Sequence, residues 1–146
     1  LDWRLLEKNK ELFEFFKFMI HFRFRHPVIR KELPNAVCGM DLIHTHNIHA
    51  EETNIPRDAR TFSVSFAGYD SKHGHDDIVY ISVNTYWENV TITLPDLKRR
   101  GHWYLNVNTY GDGKGRYFYP EGQETRIDGS FTMRPRSVAV FTANML

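Results

Sequence analysis

The spacing of apolar residues changes once along the chain, and this change does most to limit the folds open to it. From Arg4 to about Arg25 the sequence is rich in Leu, Glu, Lys, Phe and Arg and contains neither Gly nor Pro, which predicts an α-helix. His26-Pro27 ends this helix, because proline disfavours helical geometry at the preceding residue and has no amide hydrogen. Beyond about Thr61 apolar and polar residues alternate over short runs, as in half-buried β-strands.

Six alternating runs follow, separated by turn-forming residues that include the glycine-rich tract 111–115. The predicted strands cover residues 62–66, 79–83, 90–94, 103–107, 131–133 and 138–140. Short strands at this spacing favour an antiparallel β-sandwich, so we predict a mainly β fold preceded by one long α-helix. The predicted division is a helix over 1–27, a linker and irregular segment over 28–60 with one short strand at most, and a β-sandwich domain over 61–146.

The predicted helix is apolar on two flanks. One stripe is expected to pack on the chain's own core, and it comprises Leu5, Leu12, Phe16, Met19 and Ile20. A second stripe, Phe15, Phe18 and Phe22, is expected to have been covered by a larger partner or, failing that, by the chain's own sheet or a second copy. Asp2 is the predicted N-cap of the helix.

Charge and cysteine content exclude several classes of function. The 19 basic and 18 acidic residues give a formal net charge of +1, so neither nucleic acid nor a membrane is an expected partner. The single cysteine, Cys38, cannot form an internal disulfide or a multi-thiolate metal site, which fits a reducing, cytoplasmic compartment. We find no apolar run of about 18 residues and no leader, and the start at Leu1 without a methionine is expected of a fragment.

Three histidines close in sequence form the sharpest local pattern. His44 and His46 would point to one side of a strand, and His49 could complete a zinc site. Without a nearby thiolate pair, a solvated loop or a packing contact is the favoured interpretation, and no metal or cofactor is expected.

The carboxylates do not form a recognisable catalytic pair. Asp76-Asp77 and Glu51-Glu52 are neighbours whose side chains diverge on an extended chain, and we interpret them as solvated charges. The strand serines at 63, 65 and 82 lack a nucleophile elbow. The chain is therefore not expected to be catalytic.

Aromatic residues could supply stacking surfaces for sugars. Trp103 alternates with core positions and is predicted to be buried. Trp87 and the tyrosines at 110, 117 and 119 are open to two interpretations, packing within or between domains and contact with carbohydrate.

Several stretches together resemble one enzyme family. The first region is similar to the last barrel helix of the isoamylase, pullulanase and glycogen-debranching branch of the α-amylase superfamily, through Leu1-Asp2-Trp3, Lys10-Glu11-Leu12, Phe16-Lys17-Phe18-Met19-Ile20 and Phe24-Arg25-His26-Pro27-Val28. Later stretches resemble the C-terminal strands of that family, namely 58–62, 66–68, 78–84, 86–88, 94–95, 103–109 and 131–141. Ile48-His49-Ala50 stands where the family usually has Trp-His-Gly, which leaves the subfamily open.

This resemblance implies that the chain is the C-terminal part of an enzyme that hydrolyses α-1,6 branch points in glycogen or starch-type glucans. The aspartate nucleophile and glutamate acid/base of that family lie on earlier strands of its (β/α)8 barrel, so no residue here inherits a catalytic role. The implied partners are that barrel, an α-glucan and, through the exposed helix, a second copy. Asp2 and Trp3 would lie near the rim of the substrate groove. Together with Trp87, they are the candidate substrate-binding residues. A carbohydrate-binding module for α-glucans is the alternative function.

Overall fold

The described part of the chain contains a short helix and a longer one, followed by eight strands. A computed structural model describes residues 3–50, 52–97 and 101–145. The helices are α1 (Arg4–Lys8) and α2 (Lys10–Arg25), followed by a 3-10 turn at Pro27–Ile29. The strands are β1 (Ile43–His46), β2 (Thr61–Asp70), β3 (His75–Asn84), β4 (Val90–Thr93), β5 (Gly101–Asn108), β6 (Thr125–Ile127), β7 (Ser130–Met133) and β8 (Ser137–Met145). The predicted mainly β class is confirmed.

The strands form two antiparallel sheets. Six of them pair in the order β1-β2-β3-β8-β5-β6, and β4 pairs with β7. A cluster of buried residues that we call the sandwich core joins the large sheet to the small one, and it includes Tyr80, Trp103, Phe141, Ile92 and Met133. The antiparallel sandwich and the burial of Trp103 are confirmed. β6 was not predicted, and β2 continues to Asp70, beyond the end of the predicted strand 62–66.

The second face of the large sheet is covered by α2. The helix–sheet core between them contains Phe18, Phe22, Val28, Leu33, Val79, Val107 and Val140. β3 therefore has cover on both faces, and Ile78, Val79 and Tyr80 are all at most 1% exposed. The prediction of a half-buried strand was wrong here, although the unbroken apolar run 78–81 is the pattern of a strand buried on both sides.

The stripe predicted to face the core is mostly exposed, although its Met19 packs against the helix–sheet core. The second stripe is covered by the chain's own sheet, which was one of the covers expected for it. Phe18 stacks on Phe118 at 4.7 Å between ring centres, and Phe22 is 1% exposed. Leu12, Phe16 and Ile20, predicted to face the core, are more than half exposed. Both stripes are apolar, so periodicity could not choose between them. The segment that follows the helix makes the choice, because its contacts with β3 fix how α2 lies on the sheet.

Two adjacent aspartates of β3 hold that segment. Asp77 Oδ1 is 2.7 Å from His26 Nδ1, and its Oδ2 accepts a hydrogen bond from the Val28 amide at 3.0 Å. Asp76 accepts hydrogen bonds from the amides of Val37 and Cys38, both at 2.8 Å. The two side chains diverge to opposite faces as expected, but they are buried, so their interpretation as solvated charges was wrong. These hydrogen bonds come from the segment between His26 and Cys38, which we call the connector, and they offset the cost of burying the two carboxylates.

The connector passes from one face of the large sheet to the other across the end of β2. Tyr69 donates its amide hydrogen to Pro34 O at 2.8 Å, beyond the residues of β2 that pair with β1. The approach requires glycine at position 68, because a Cβ there would lie 2.7 Å from Leu33 Cβ. Val28 and Leu33 accordingly join the helix–sheet core, whereas Ala36 joins the sandwich core.

The single predicted helix is interrupted at Asn9, whose backbone leaves helical geometry and whose Nδ2 donates to Leu5 O at 2.9 Å. No residue of α1 is buried. Among the described residues, neither helix has the length and apolar content that crossing a bilayer requires.

The reversed helix faces can be tested with two phenylalanine truncations. Phe22→Ala is expected to lower the free energy of unfolding by about 3–5 kcal/mol, because it leaves a cavity in the helix–sheet core. The matched change Phe16→Ala on the outward face should alter the isolated chain by no more than about 0.5 kcal/mol. Urea denaturation would measure both. Equal costs, or a larger cost for Phe16→Ala, would restore the sequence-based assignment of the faces.

Candidate functional site

Two of the three predicted substrate-binding residues, Trp3 and Trp87, belong to different parts of the fold. Asp2 lies outside the described residues. Trp3 precedes α1, is 72% exposed and lines a groove with Leu6 and Phe13. Trp87 lies in the β3–β4 loop, and none of the described contacts joins it to Trp3. The structure therefore does not assemble these residues into one site.

Trp87 belongs to a small aromatic and cationic cluster. Its ring centre is 4.4 Å from that of Tyr86, and the Arg60 guanidinium lies 4.7 Å from the Trp87 ring centre. The Trp87 side chain is nevertheless 58% exposed. Of the tyrosines considered with it, Tyr110 is exposed and packs against Arg134, whereas Tyr117 is half-buried and Tyr119 is buried.

The loop that carries Trp87 is fixed by Asn84, the last residue of β3. Asn84 Nδ2 donates to Glu88 O at 3.0 Å and to Arg134 O at 2.9 Å. Asn84 Oδ1 accepts from the Thr61 hydroxyl at 2.8 Å and from the Tyr86 amide at 3.0 Å. One buried amide thus uses both of its polar atoms to set the direction in which the aromatic pair leaves the sheet.

The histidine-rich segment forms part of the fold. His46 is buried on β1, and its Nε2 hydrogen-bonds with Ser65 Oγ at 2.9 Å. His44 lies beside it with ring centres 4.7 Å apart and Nδ1 3.1 Å from Asp41 Oδ2, while His49 is exposed. Burial, with a smaller contribution from His44, lowers the pKa of His46 to about 4. No group of three or more His, Cys, Asp or Glu among the described residues is arranged to hold a metal ion.

A polar cleft that was not predicted from the sequence lies at the start of β3, at the opposite end of this strand from the loop that carries Trp87. Its volume is about 770 Å3, and six segments contribute to it: the end of α2, the β2–β3 turn, the start of β3, β5, the β5–β6 loop and β8. His26, His73 and His75 line it together with Asn106 and Glu124. Nothing in the sequence connects these positions, because the turn, the loop and the helix end meet only through the strand order of the large sheet.

Glu121, one of the two glutamates that line this cleft, is poorly placed to act as the general acid of a glycosidase. It lies 3.1 Å from Arg25 Nη1, and its side chain is 81% exposed. It lacks the apolar enclosure that keeps a general acid protonated near neutral pH. Asp70 is buried and contacts His73 of the cleft, and its hydrogen bond with His73 holds the pKa of its carboxyl below the usual range.

Acid titration tests the burial of His46. Unfolded His46 takes up a proton below its ordinary pKa of 6.5, whereas the folded side chain stays neutral down to about pH 4. The free energy of unfolding should therefore fall as the pH decreases from 6.5 to about 4, and this residue alone contributes a loss of about 3 kcal/mol. Urea denaturation across this range should show a shallower decline for His46→Gln. The same change at exposed His49 is the control, and identical slopes for all three proteins would contradict the burial.

Comparison of the chain with models of known protein families and with curated proteins gives no match in either case.

Proposed function

We propose that this chain is the non-catalytic C-terminal domain of a glycoside hydrolase that cleaves α-1,6 branch linkages in glycogen or starch-type glucans. Its role is to stabilise the catalytic barrel by packing against it through α1 and the outward face of α2. The sequence resemblance to debranching enzymes motivates this assignment. The observation that carries the proposal is the large apolar surface that the helices leave uncovered after α2 has packed on its own sheet.

The size of that surface supports a macromolecular partner. Its exposed side chains are Trp3, Leu5, Leu6, Leu12, Phe13, Phe16, Ile20 and Phe24, each between 43% and 72% exposed. Half-exposed side chains of this size present roughly 100 Å2 each, and the eight together roughly 800 Å2. Monomeric proteins seldom expose a continuous apolar patch larger than about 600 Å2. A surface of roughly 800 Å2 is what one partner contributes to a standard protein interface.

The shape and borders of this surface also suit an interface. The break at Asn9 makes a groove of about 640 Å3 between α1 and α2, lined almost entirely by apolar side chains such as Leu6 and Phe13. A partner could insert a side chain there. Glu14 and Lys17 form a 3.9 Å ion pair on the exposed surface of α2, which is the polar border that interfaces commonly have around an apolar centre.

The interface can be tested with a charged double substitution. Phe16→Glu with Ile20→Glu should lower the Tm of an intact debranching enzyme that contains this chain, because it buries charge against the barrel. In the isolated chain each change should alter the free energy of unfolding by no more than about 0.5 kcal/mol. Thermal unfolding of both proteins measures this, with Thr132→Glu on the small sheet as the control. If the double substitution destabilised the isolated chain as much as the intact enzyme, the result would contradict the proposal.

A second copy is the main competing partner for this face. Light scattering on the isolated chain distinguishes the two cases. A dimer that the double substitution dissociates, together with an unchanged Tm of the intact enzyme, would assign the face to self-association and overturn its assignment to the barrel.

The absence of catalysis in this chain is a separate prediction. The purified chain should release no reducing sugar from pullulan or branched glycogen, because none of its carboxylates has a role that the family resemblance would carry over. A reducing-sugar assay with an intact debranching enzyme as the positive control measures this. Turnover that survives repurification would refute the proposal.

A carbohydrate-binding module is the second candidate function, and the exposure of Trp87 favours it. An indole that is 58% exposed and held in place by a fixed loop can stack on a sugar ring. Trp87→Ala should then abolish the heat of binding of malto-oligosaccharides in calorimetry, while Trp3→Ala serves as the matched control. Absence of heat with the unmodified chain at roughly 10 mM ligand would remove this candidate.

A further inference from the structure

The polar cleft at the start of β3 is a second, independent feature of the molecule. It lies at the opposite end of β3 from Trp87, and β3 is a strand of ten residues and therefore about 33 Å long. Its volume of about 770 Å3 falls within the range of small-molecule sites. Its walls come from the end of α2, a hairpin turn and the long β5–β6 loop, so the site exists only in the folded chain.

Three histidines of the cleft share one arrangement. Nδ1 of His26 lies 2.7 Å from Asp77 Oδ1, Nδ1 of His73 lies 2.6 Å from Asp70 Oδ2, and Nδ1 of His75 lies 3.0 Å from the backbone oxygen of Asp76. Carboxylate and carbonyl oxygens accept, so each Nδ1 carries the hydrogen and donates it. In its neutral form an imidazole fixed in this way accepts through Nε2. The protein therefore sets which nitrogen of each of the three rings is left for a ligand.

Two of the residues that line the cleft also carry hydrogen-bond donors. Asn106 is buried and its Oδ1 accepts from the Thr142 hydroxyl at 2.9 Å, which leaves the two hydrogens of Nδ2 for another partner. Arg25 Nε is buried and has no hydrogen-bond partner within the described part of the chain. Burial of an unsatisfied donor costs free energy, so a ligand that accepts these hydrogens would be favoured.

The charges of the cleft favour an uncharged ligand. Arg25 and Lys72 are balanced by Glu121 and Glu124, so neither an anion nor a cation meets a field of one sign. The described histidines and carboxylates also include no three-ligand group for a metal. Phe24 adds an apolar ring that is 67% exposed at the edge of the cleft. Fixed acceptors, free donors and an exposed ring together match the hydroxyl groups and the apolar ring face of a sugar.

We propose that this cleft binds a neutral oligosaccharide through His26, His73, His75 and Asn106, with Phe24 beside a sugar ring. That the sugar is an α-1,4-linked glucan rests on the proposed function. The cleft is distinct from Trp87 and shares only Phe24 with the exposed apolar surface of the helices, so one chain can hold a glucan strand at one end while the rest of that surface contacts the barrel.

The test is a titration of the intact chain with maltohexaose, followed by calorimetry and by NMR of the side-chain amide signals. We expect a dissociation constant on the order of 1 mM and movement of the Asn106 side-chain amide resonances. His73→Ala with His75→Ala should weaken binding at least tenfold, because two acceptors are lost on an exposed turn. His49→Ala, which leaves the cleft intact, should bind as the unmodified chain does.

Three results would overturn the proposal. They are no binding of maltohexaose, binding lost in Trp87→Ala but kept in the double histidine variant, and binding of Zn2+ alone that shifts the same histidine signals without any effect of sugar. Binding of cellohexaose in place of maltohexaose would overturn the assignment of the sugar as an α-1,4-linked glucan. Because the double histidine variant carries no change in α1 or α2, failure here leaves the helix-face experiment standing. Failure of the helix-face experiment would remove the reason for choosing an α-1,4-linked glucan and would leave the test of oligosaccharide binding intact.

Discussion

The structure depends on β3 being covered on both faces. One face contributes Ile78 and Tyr80 to the sandwich core, and the other contributes Val79 to the helix–sheet core. Full burial of side chains of this size stabilises a protein by about 1.5–3 kcal/mol each. Removing the helix would expose one face of the central strand to water, so α2 is an integral layer of this fold even though it comes from a region with a different hydrophobic period.

The two aspartates at the start of β3 hold the segments of the chain that cover the two faces of this strand. Asp77 holds the end of α2 on one face, and Asp76 holds the segment around Cys38 on the other. Because both carboxylates are buried, each hydrogen bond they accept also removes the cost of burying charge. The same contacts determine which flank of α2 meets the sheet and leave the other flank, with Phe16 and Ile20, for a partner.

Local patterns were sufficient to predict the fold class, because strand alternation and the proline at the helix end act over a few residues. They could not predict which face of α2 is buried, since both faces are apolar and the choice rests on the contact between Val28 and Asp77, which are far apart in the sequence. The polar cleft was out of reach for the same reason. His26, His75 and Asn106 meet only after the strands have taken their order, and no motif connects them. Trp87 could be identified as a candidate because exposure of an isolated aromatic in a turn region is a local property.

The strand order also limits how copies of this chain can associate. The outermost strands of the large sheet, β1 and β6, have four and three residues, whereas the interior strands have eight to ten. Beyond β1, the end of β2 is covered by the connector through the hydrogen bond from Tyr69 to Pro34. Short and covered edges offer little template for the addition of foreign strands, which is the usual route to amyloid-like aggregation. A chain with so much uncovered apolar helix can thus remain resistant to fibril formation through its sheet.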